Sequence, residues 1–289
     1  MKLRPLFYAL SLTLLAVSVY SIVRWNFKKS IDFSGGSVWE VKLPNIQDSS
    51  KIQKVFSDEK ISLSSQTPES KGTFLLKFPN IDENKKKNLD ESMKKLDKNF
   101  QELRFETLGP SLGRELLVKT VYAIILSAVS LLIYIGSRFD DFSFGAAAVL
   151  AMFHDTIILI GAFSLLGHFF GAEIDSLFVT ALLTTLSSSV HDTVVTFDRI
   201  RELRRTSYKY TWTEMANKAV TEVIVRSINN SMTVIFMLFA LVVLGGQTTR
   251  WFAMALLIGV VCGTYSSTGV AIPLVLLFKN RKAKALEKK

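Results

Sequence analysis

Two residues that could carry chemistry lie side by side in a largely apolar stretch of this sequence. His191 and Asp192 fall within residues 174–197, a segment long enough to cross a bilayer. A charged side chain costs at least about 2.5–3.5 kcal/mol at the bilayer centre, so it is rare there unless function requires it. The pair therefore marks the first candidate site.

Two further polar clusters interrupt apolar segments. The tripeptide His-Asp-Thr occurs at 154–156 and again at 191–193, and a third cluster opens another apolar segment at 226–233. Its arginine could instead reach back to the cytoplasmic interface, and the histidines could join helices through serine or carbonyl partners. The candidate residues are Asp192 and Arg226, with His191, Asp155, His154, Asn229 and Thr196 in support.

The combination of Asp192 and Arg226 predicts a proton-coupled switch. A carboxylate buried alone takes up a proton, whereas a nearby arginine favours its ionised form. Arg226 is predicted to enter the membrane from the same side and at comparable depth, so it is the natural partner. Protonation of Asp192 would then release Arg226 and let two helices repack, the logic of proton-driven transporters.

Other chemistries fit the sequence less well. Adjacent residues on a helix point about 100° apart, so one His-Asp dipeptide cannot easily give two ligands to one metal ion. A hydrolytic site built from Ser187 or Ser189 with His191 lacks an evident oxyanion hole. The sequence has no phosphate-binding loop of the GxxxxGK[ST] type. We therefore expect no enzymatic activity, no metal and no bound cofactor, with the proton gradient as the energy source.

The surrounding elements predict an α-helical polytopic membrane protein. The 289 residues are 49% hydrophobic, and the apolar residues fall in long blocks. Six blocks approach or exceed the about 20 residues needed to cross a bilayer. They are 6–23, 117–136, 142–166, 174–197, 219–245 and 251–278. The first could be a cleaved signal peptide, but it ends without a small-x-small site, which favours an uncleaved anchor.

The net charge of +10 does not predict nucleic-acid binding. Residues 26–117 hold 16 Lys/Arg and 14 Asp/Glu, so most of the excess lies beside the apolar blocks. That distribution is a topology signal. The single cysteine, Cys262, excludes an intramolecular disulfide.

Residues 26–116 predict a folded domain outside the membrane. Alternating apolar residues at 38–43 and 73–78 are typical of strands, and 61–65 and 103–108 also predict strands. Helical spacing appears at 48–60 and from residue 84, where the apolar positions continue to Leu103. The order βαββαβ predicts an α+β ferredoxin-like domain.

The positive-inside rule predicts the topology. With residues 1–25 comprising a cytoplasmic N-terminus and the first span, the segments 137–141, 198–218 and 279–289 also lie in the cytoplasm. These regions hold 15 Lys/Arg outside the spans, against one in the two short outer loops. We expect a multi-pass protein of the cell (inner) membrane, with the 117–278 bundle in lipid and the 26–116 domain periplasmic or otherwise extracytoplasmic.

Several motifs resemble the SecF proteins of the SecD/SecF protein-translocase family. They are IDFSGG at 31–36, GPSLG at 109–113, SVHDTVVTFDRIRE at 189–202, RSIN at 226–229 and GTYSS at 263–267. They occur in the family's order and cover nearly the whole chain. The family more often has asparagine at the position of His191.

The resemblance implies six transmembrane helices that form half of an RND-type bundle, with an exported ferredoxin-like domain after the first. It implies pairing with SecD, association with the SecYEG channel, a functional link to SecA and contact with unfolded secretory polypeptides. It also implies use of the proton motive force, with the family's proton-pathway residues on Asp192 and Arg226. The chain lacks the large domain of SecD, as a stand-alone SecF does.

Three functional hypotheses follow from these features. The first is an accessory subunit that promotes late-stage protein export. The second is half of a proton-driven RND-type exporter of small molecules or lipids, and the third is a structural scaffold in which Asp192 and Arg226 tolerate alanine.

Overall fold

The computed structural model describes residues 4–46, 48–70, 72–139, 141–206 and 210–286. The chain divides into two compact units. The sheet unit comprises Lys29–Tyr122, and the helical unit comprises Met1–Lys28 with Ala123–Lys289.

The sheet unit contains four strands and three helices before the long helix α5. In chain order they are α2 (Ile31–Ser34), β1 (Gly36–Lys42), α3 (Ser49–Asp58), β2 (Ser65–Ser70), β3 (Thr73–Phe78), α4 (Glu83–Leu96) and β4 (Gln101–Leu108). The strands form one antiparallel sheet in the order β2-β3-β1-β4. Trp39 in β1 lies opposite Leu76 in β3 and Phe105 in β4.

The core of the sheet unit lies between one face of the sheet and the helices. Alternate residues of β1 and β3 are buried, as the sequence alternation predicts, because successive side chains of a strand point to opposite faces. Ile52 and Phe56 of α3, with Leu89 and Met93 of α4, complete this core. Lys86 lies 4.8 Å from the centre of the Trp39 ring, where its charge faces the aromatic surface.

Two sequence predictions for this unit are wrong. Helix α4 ends at Leu96, so the helical spacing that continues to Leu103 does not extend the helix. The second strand begins at Ser65, where the predicted strand 61–65 ends. This strand contains Pro68 and is an edge strand, the position in which a proline costs no ladder hydrogen bond.

The turn after α4 is built around the carboxylate of Asp97, which is 3% exposed. It accepts hydrogen bonds from the Asn45 backbone N–H at 3.0 Å, the Asn45 side-chain amide at 2.9 Å and the Asn99 N–H at 2.9 Å. Burial opposes ionisation, but these donors outweigh it and hold the pKa of Asp97 below its usual range. Asp97 therefore directs the chain from α4 into β4.

The helical unit consists of long helices. They are α1 (Arg4–Trp25), the greater part of α5 (Pro110–Arg138), α6 (Phe142–Phe170), α7 (Ser176–Thr206), α8 (Trp212–Leu244), α9 (Gln247–Ser266) and α10 (Ile272–Leu286). A π-helical segment, Ser267–Ala271, joins α9 to α10.

Within the described residues, five helices are long and apolar enough to cross a membrane: Arg4–Trp25, Pro110–Arg138, Phe142–Phe170, Trp212–Leu244 and Thr249–Asn280. The predicted fourth span, 174–197, lies in α7. Helix α7 has 31 residues, but its serine, threonine, histidine and charged side chains reduce its hydropathy.

The helices extend into the predicted cytoplasmic segments. Helix α7 continues through Thr206, and α8 begins at Trp212 with a capping box between Thr211 and Glu214. The predicted polar loop 198–218 is therefore largely helical. Residue 140 of segment 137–141, residues 207–209 of the loop and residues 287–289 of the predicted tail lie outside the described residues.

Small residues bring the helices of this unit close together. A Cβ atom added to Gly161 of α6 would lie 2.2 Å from Ser18 Cβ of α1. A Cβ added to Gly259 of α9 would lie 2.0 Å from Thr185 Cγ2 of α7. Glycine permits such close helix approach in membrane proteins. Gly161 and Gly259 therefore serve helix packing.

Asp97→Asn is expected to lower the free energy of unfolding of the sheet unit by about 2 kcal/mol at neutral pH, because it weakens charge-assisted hydrogen bonds. The folded pKa is depressed, so the contribution is present above the unfolded pKa of about 3.9 and is lost as the pH falls through the lower folded value. Hydrogen exchange of residues 36–108 in the whole chain, across this pH range, measures the effect. Asp58→Asn, at an exposed position in α3, is the control. Equal loss of protection in the two variants would contradict the role of Asp97.

Gly259→Ala is expected to lower the stability of the helical unit by about 1–3 kcal/mol, because α7 and α9 must separate to admit the methyl group. The measurement is the midpoint of thermal unfolding in detergent. Gly136→Ala is the matched control, since a Cβ there meets no atom within 4 Å in the described structure. A shift of the midpoint no larger than that of the control would show that the contact between Gly259 and Thr185 does not determine the stability of the helical unit.

Candidate functional site

Asp192 lies on the face of α7 that borders a cavity within the helical unit. Thr184, Ser188 and Asp192 follow one another at intervals of four residues, which places them along one face of the helix. The cavity has a volume of about 210 Å³ and is lined by residues of α7, α8 and α9. We call this space the Asp192 cavity.

A second, more open space meets the Asp192 cavity at the same carboxylate. This groove has a volume of about 600 Å³. It shares Thr184, Ser188, Asp192 and Asn230 with the cavity, and it is also lined by His191. Half-buried Asp192 therefore borders both an enclosed space and an open one. The residues common to the two spaces are polar, and a water molecule needs about two to four polar partners.

The Asp192 carboxylate has little compensation from protein groups. The Ser227 hydroxyl of α8 donates to Asp192 Oδ2 at 3.4 Å, which is long for a hydrogen bond between oxygens. Thr196, a predicted supporting residue, is buried and donates to the backbone carbonyl of Asp192 at 3.1 Å. Thr196 therefore supports the helix rather than the carboxylate.

The structure does not pair Asp192 with Arg226. In the described parts of the chain Arg226 is exposed, and it forms no ion pair with Asp192. Its neighbour Ser227 points to the carboxylate instead, since successive residues of a helix differ by about 100°. The same rotation places Asn230, and not the predicted Asn229, on the lining of the cavity. The expected direct contact is thus absent in this conformation.

The end of α7 beyond the cavity carries ion pairs. Arg199 contacts Glu222 of α8 and Glu202 of its own helix, both at 2.5 Å. The hydrogen bonds to these carboxylates, of which that to Glu222 has the larger effect, raise the pKa of Arg199 and keep it protonated. Asp198 pairs with Arg138 at 2.6 Å. These contacts join the ends of α5, α7 and α8.

Asp155 belongs to a second, more deeply buried polar cluster. The hydroxyls of Ser189 on α7 and Ser266 on α9 each donate to Asp155 Oδ2 at 2.6 Å. Nδ1 of His154 lies 2.9 Å from Asp155 Oδ1. All four side chains are more than nine-tenths buried. We call Asp155, Ser189 and Ser266 the Asp155 clasp.

His154 extends this cluster toward the first helix. Its Nε2 lies 2.8 Å from the Tyr265 hydroxyl of α9, and that hydroxyl lies 3.1 Å from the Ser11 hydroxyl of α1. The histidine thus joins α6 to α9 and, through the tyrosine, to α1. The interpretation of His154 as a residue that joins helices fits these contacts.

Sequence reasoning missed the partners of Asp155. It assigned neither Ser189 nor Ser266 to Asp155, whereas the structure turns both hydroxyls to that carboxylate. A usable signal was present, because a buried carboxylate needs donors and GTYSS at 263–267 supplies several hydroxyls. Among the described residues, no three His, Cys, Asp or Glu side chains come together in an arrangement that could hold a metal ion.

Comparison with known proteins identifies relatives over nearly the whole chain. Residues 88–281 match the family described as "Protein export membrane protein SecD/SecF, C-terminal". Protein translocase subunit SecF of Thermobaculum terrenum is 38% identical, over 96% of this chain and 93% of that protein. SecF of Anaerolinea thermophila is 34% identical, over 96% and 92%. These matches confirm the resemblance predicted from the motifs.

A fused relative and its crystal structure also match. Protein translocase subunit SecDF of Thermus thermophilus is 32% identical over 95% of this chain and 37% of that protein. The crystal structure of SecDF from Thermus thermophilus, described as a translocon-associated membrane protein, superposes with a TM-score of 0.85 at 30% sequence identity. The match covers 97% of this chain and 38% of the SecDF chain.

Proposed function

Because this chain belongs to the SecD/SecF family of protein export membrane proteins, we propose that it works with a SecD protein and uses the proton motive force to promote late-stage translocation of secreted polypeptides. Its accessory role in Sec-dependent protein export follows from the family. The alternative of a small-molecule or lipid exporter is not favoured, since the relatives that match nearly the whole chain are named translocase subunits.

The fused relative supports the partnership with SecD. In that SecDF protein the region similar to this chain is 37% of one polypeptide. A separate SecD protein would supply the remainder here. We further propose contacts with the SecYEG channel, a functional link to SecA, and contacts with unfolded polypeptide and membrane lipid.

We propose six membrane spans, with α7 as the fourth. Its polar side chains are accommodated because they face the Asp192 cavity or the Asp155 clasp. The proposed membrane is the cell (inner) membrane, with both termini in the cytoplasm and the sheet unit outside. Its antiparallel order β2-β3-β1-β4, with a helix in each of two crossovers, supports a ferredoxin-like domain.

The observation that carries the proton proposal is the position of Asp192. Its carboxylate borders the open groove and the Asp192 cavity, and within the described residues its hydrogen-bond donor is one distant hydroxyl. A weakly compensated carboxylate with a route to solvent readily exchanges a proton. The groove is the proposed route of proton entry to Asp192.

Arg226 supplies the second state of the proposed switch. It is exposed in this conformation and precedes Ser227, the residue that reaches Asp192. Loss of the proton from Asp192 would create a charge that attracts the guanidinium across the α7–α8 interface. A change in the rotation of α8 would then accompany each proton, so that proton flow and helix movement are coupled.

Asp192→Asn is expected to abolish the proton-dependent component of export, because the amide cannot exchange a proton while it retains the shape of the carboxylic acid. The assay follows a preprotein into inverted membrane vesicles that contain SecD, with and without dissipation of the proton gradient. Glu202→Gln, on the same helix but outside the cavity, is the control and should retain this component. Full proton dependence in Asp192→Asn would overturn the proposal.

Arg226→Gln is expected to reduce the same component by about tenfold, within the usual coupling free energies of roughly 1–3 kcal/mol. Arg226→Lys should retain more activity because the cation is kept. Arg250→Gln, which changes an exposed arginine at the start of α9, is the control. Equal activity of the glutamine and lysine variants would exclude a role for the charge.

A further inference from the structure

Asp155 is more deeply buried than Asp192, and the proposed proton route does not use it. Its side chain is 7% exposed, and both carboxylate oxygens have protein partners. Two of these partners, Ser189 and Ser266, come from different helices. Asp155 therefore joins three helices at one point.

Asp155 Oδ2 accepts two short hydrogen bonds. Hydroxyl donors at 2.6 Å from one carboxylate oxygen lie in the range of charge-assisted hydrogen bonds. The other acceptor within reach of the Ser266 hydroxyl, the Gly263 carbonyl, is at 3.3 Å. A hydroxyl has one proton to donate, so the shorter bond to Asp155 is preferred.

The Asp155 clasp is adjacent to the Asp192 cavity on both α7 and α9. Ser189 follows Ser188, which lines the cavity on α7, and Ser266 is two residues from Thr264, which lines it on α9. The two helices touch between these points, where a Cβ on Gly263 would lie 3.3 Å from Ser189 Cα. Any change in the clasp therefore changes the spacing of two walls of the cavity.

We propose that Asp155 is a positioning residue for the Asp192 site: through Ser189 and Ser266 it holds α7 against α9 and so sets the width of the Asp192 cavity. The role within the transport cycle rests on the proposed function, whereas the control of cavity width does not. The Asp155 clasp depends on the two hydroxyls, from α7 and α9, that meet at one carboxylate oxygen.

Several groups surround Asp155 and bear on its charge. His154 contacts it from the same helix, and Cys262 and Tyr265 of α9 interact with it electrostatically. Helix α7 contributes the neutral Ser189 hydroxyl, and α1 contributes Ser11 through Tyr265. The Asp155 carboxylate is thus surrounded by two hydroxyl donors and one histidine side chain.

The chain contains its own probe of the α7–α9 spacing. Cys262 is the one cysteine in the sequence and is 7% exposed, next to Gly263 on α9. In the double variant Ser189→Ala/Ser266→Ala we expect N-ethylmaleimide to alkylate Cys262 about tenfold faster than in the unmodified protein, because the interface opens more often. This variant keeps the Asp155 side chain and removes only its two hydroxyl donors.

The matched control removes two neighbouring hydroxyls that serve only their own helices. Thr193 donates to the Ser189 carbonyl and Ser267 donates to the Thr264 carbonyl. Thr193→Val/Ser267→Ala should keep the alkylation rate within about twofold of the unmodified chain, since local helix hydrogen bonds contribute little. Equal rates in the two double variants would overturn the proposal.

A pH profile separates positioning from simple stability. A wider, wetter cavity holds the charge of Asp192 to lower pH, so the pH midpoint of proton-dependent export should fall by about half a unit in Ser189→Ala/Ser266→Ala. Asp155→Asn should do the same, and the control variant should match the unmodified chain. In the Asp192→Asn background the clasp substitutions should have no further effect on this component. A lower amount of active protein with an unchanged midpoint would assign Asp155 a structural role only.

Failure of the proton proposal has a different signature. If Asp192→Asn retains full proton-dependent export while the clasp variants still accelerate alkylation of Cys262, the proposed function fails and the control of cavity width stands. If Asp192→Asn abolishes that component while alkylation and pH midpoint are unchanged in the clasp variants, the inference about Asp155 fails alone.

Discussion

A carboxylate among apolar helices requires either hydrogen-bond donors or water. The helical unit contains two such carboxylates, and its structure depends on the different ways in which they meet this requirement. Asp155 of α6 accepts hydrogen bonds from serine hydroxyls of α7 and α9, and Nδ1 of His154 lies 2.9 Å from its other carboxylate oxygen. Asp192 has one long hydrogen bond and borders open space instead. The first arrangement fixes helices, whereas the second leaves a group free to react. Asp155 and Asp192 lie on the neighbouring helices α6 and α7, and the Asp155 clasp sets the width of the Asp192 cavity.

Helix α7 shows why these two roles fit one segment. Ser189 faces α6 and α9, while Ser188, its immediate neighbour, lines the Asp192 cavity. The 100° step of a helix separates a structural face from a reactive face within two residues. Its many hydroxyls also explain why α7 is not apolar enough to be recognised as a span by composition. The polar side chains that lower the hydropathy of α7 also form its part of the Asp192 cavity and of the Asp155 clasp.

Much of this arrangement follows from sequence because it depends on local rules. Alternation predicts the buried faces of β1 and β3, apolar length predicts most helices, and an intramembrane carboxylate marks Asp192. The partners of each group do not follow, since they depend on the rotation of one helix against another. Ser227 occupies the position expected of Arg226 for this reason. The ends of helices do not follow from the sequence pattern for another reason. Side-chain hydrogen bonds such as those of Asp97 decide where a helix ends.

The packing of α1 on α6 has a consequence for how the protein is made. Ser18 meets Gly161, and the Ser164 hydroxyl lies within hydrogen-bond distance of the Ser21 and Asn26 carbonyls, although about 140 residues separate the two helices in the chain. At a synthesis rate of about 5–20 residues per second, α1 waits on the order of ten seconds for its partner. During that interval its buried serines face lipid or the insertion machinery. The first helix therefore needs another partner for these serines until α6 is made.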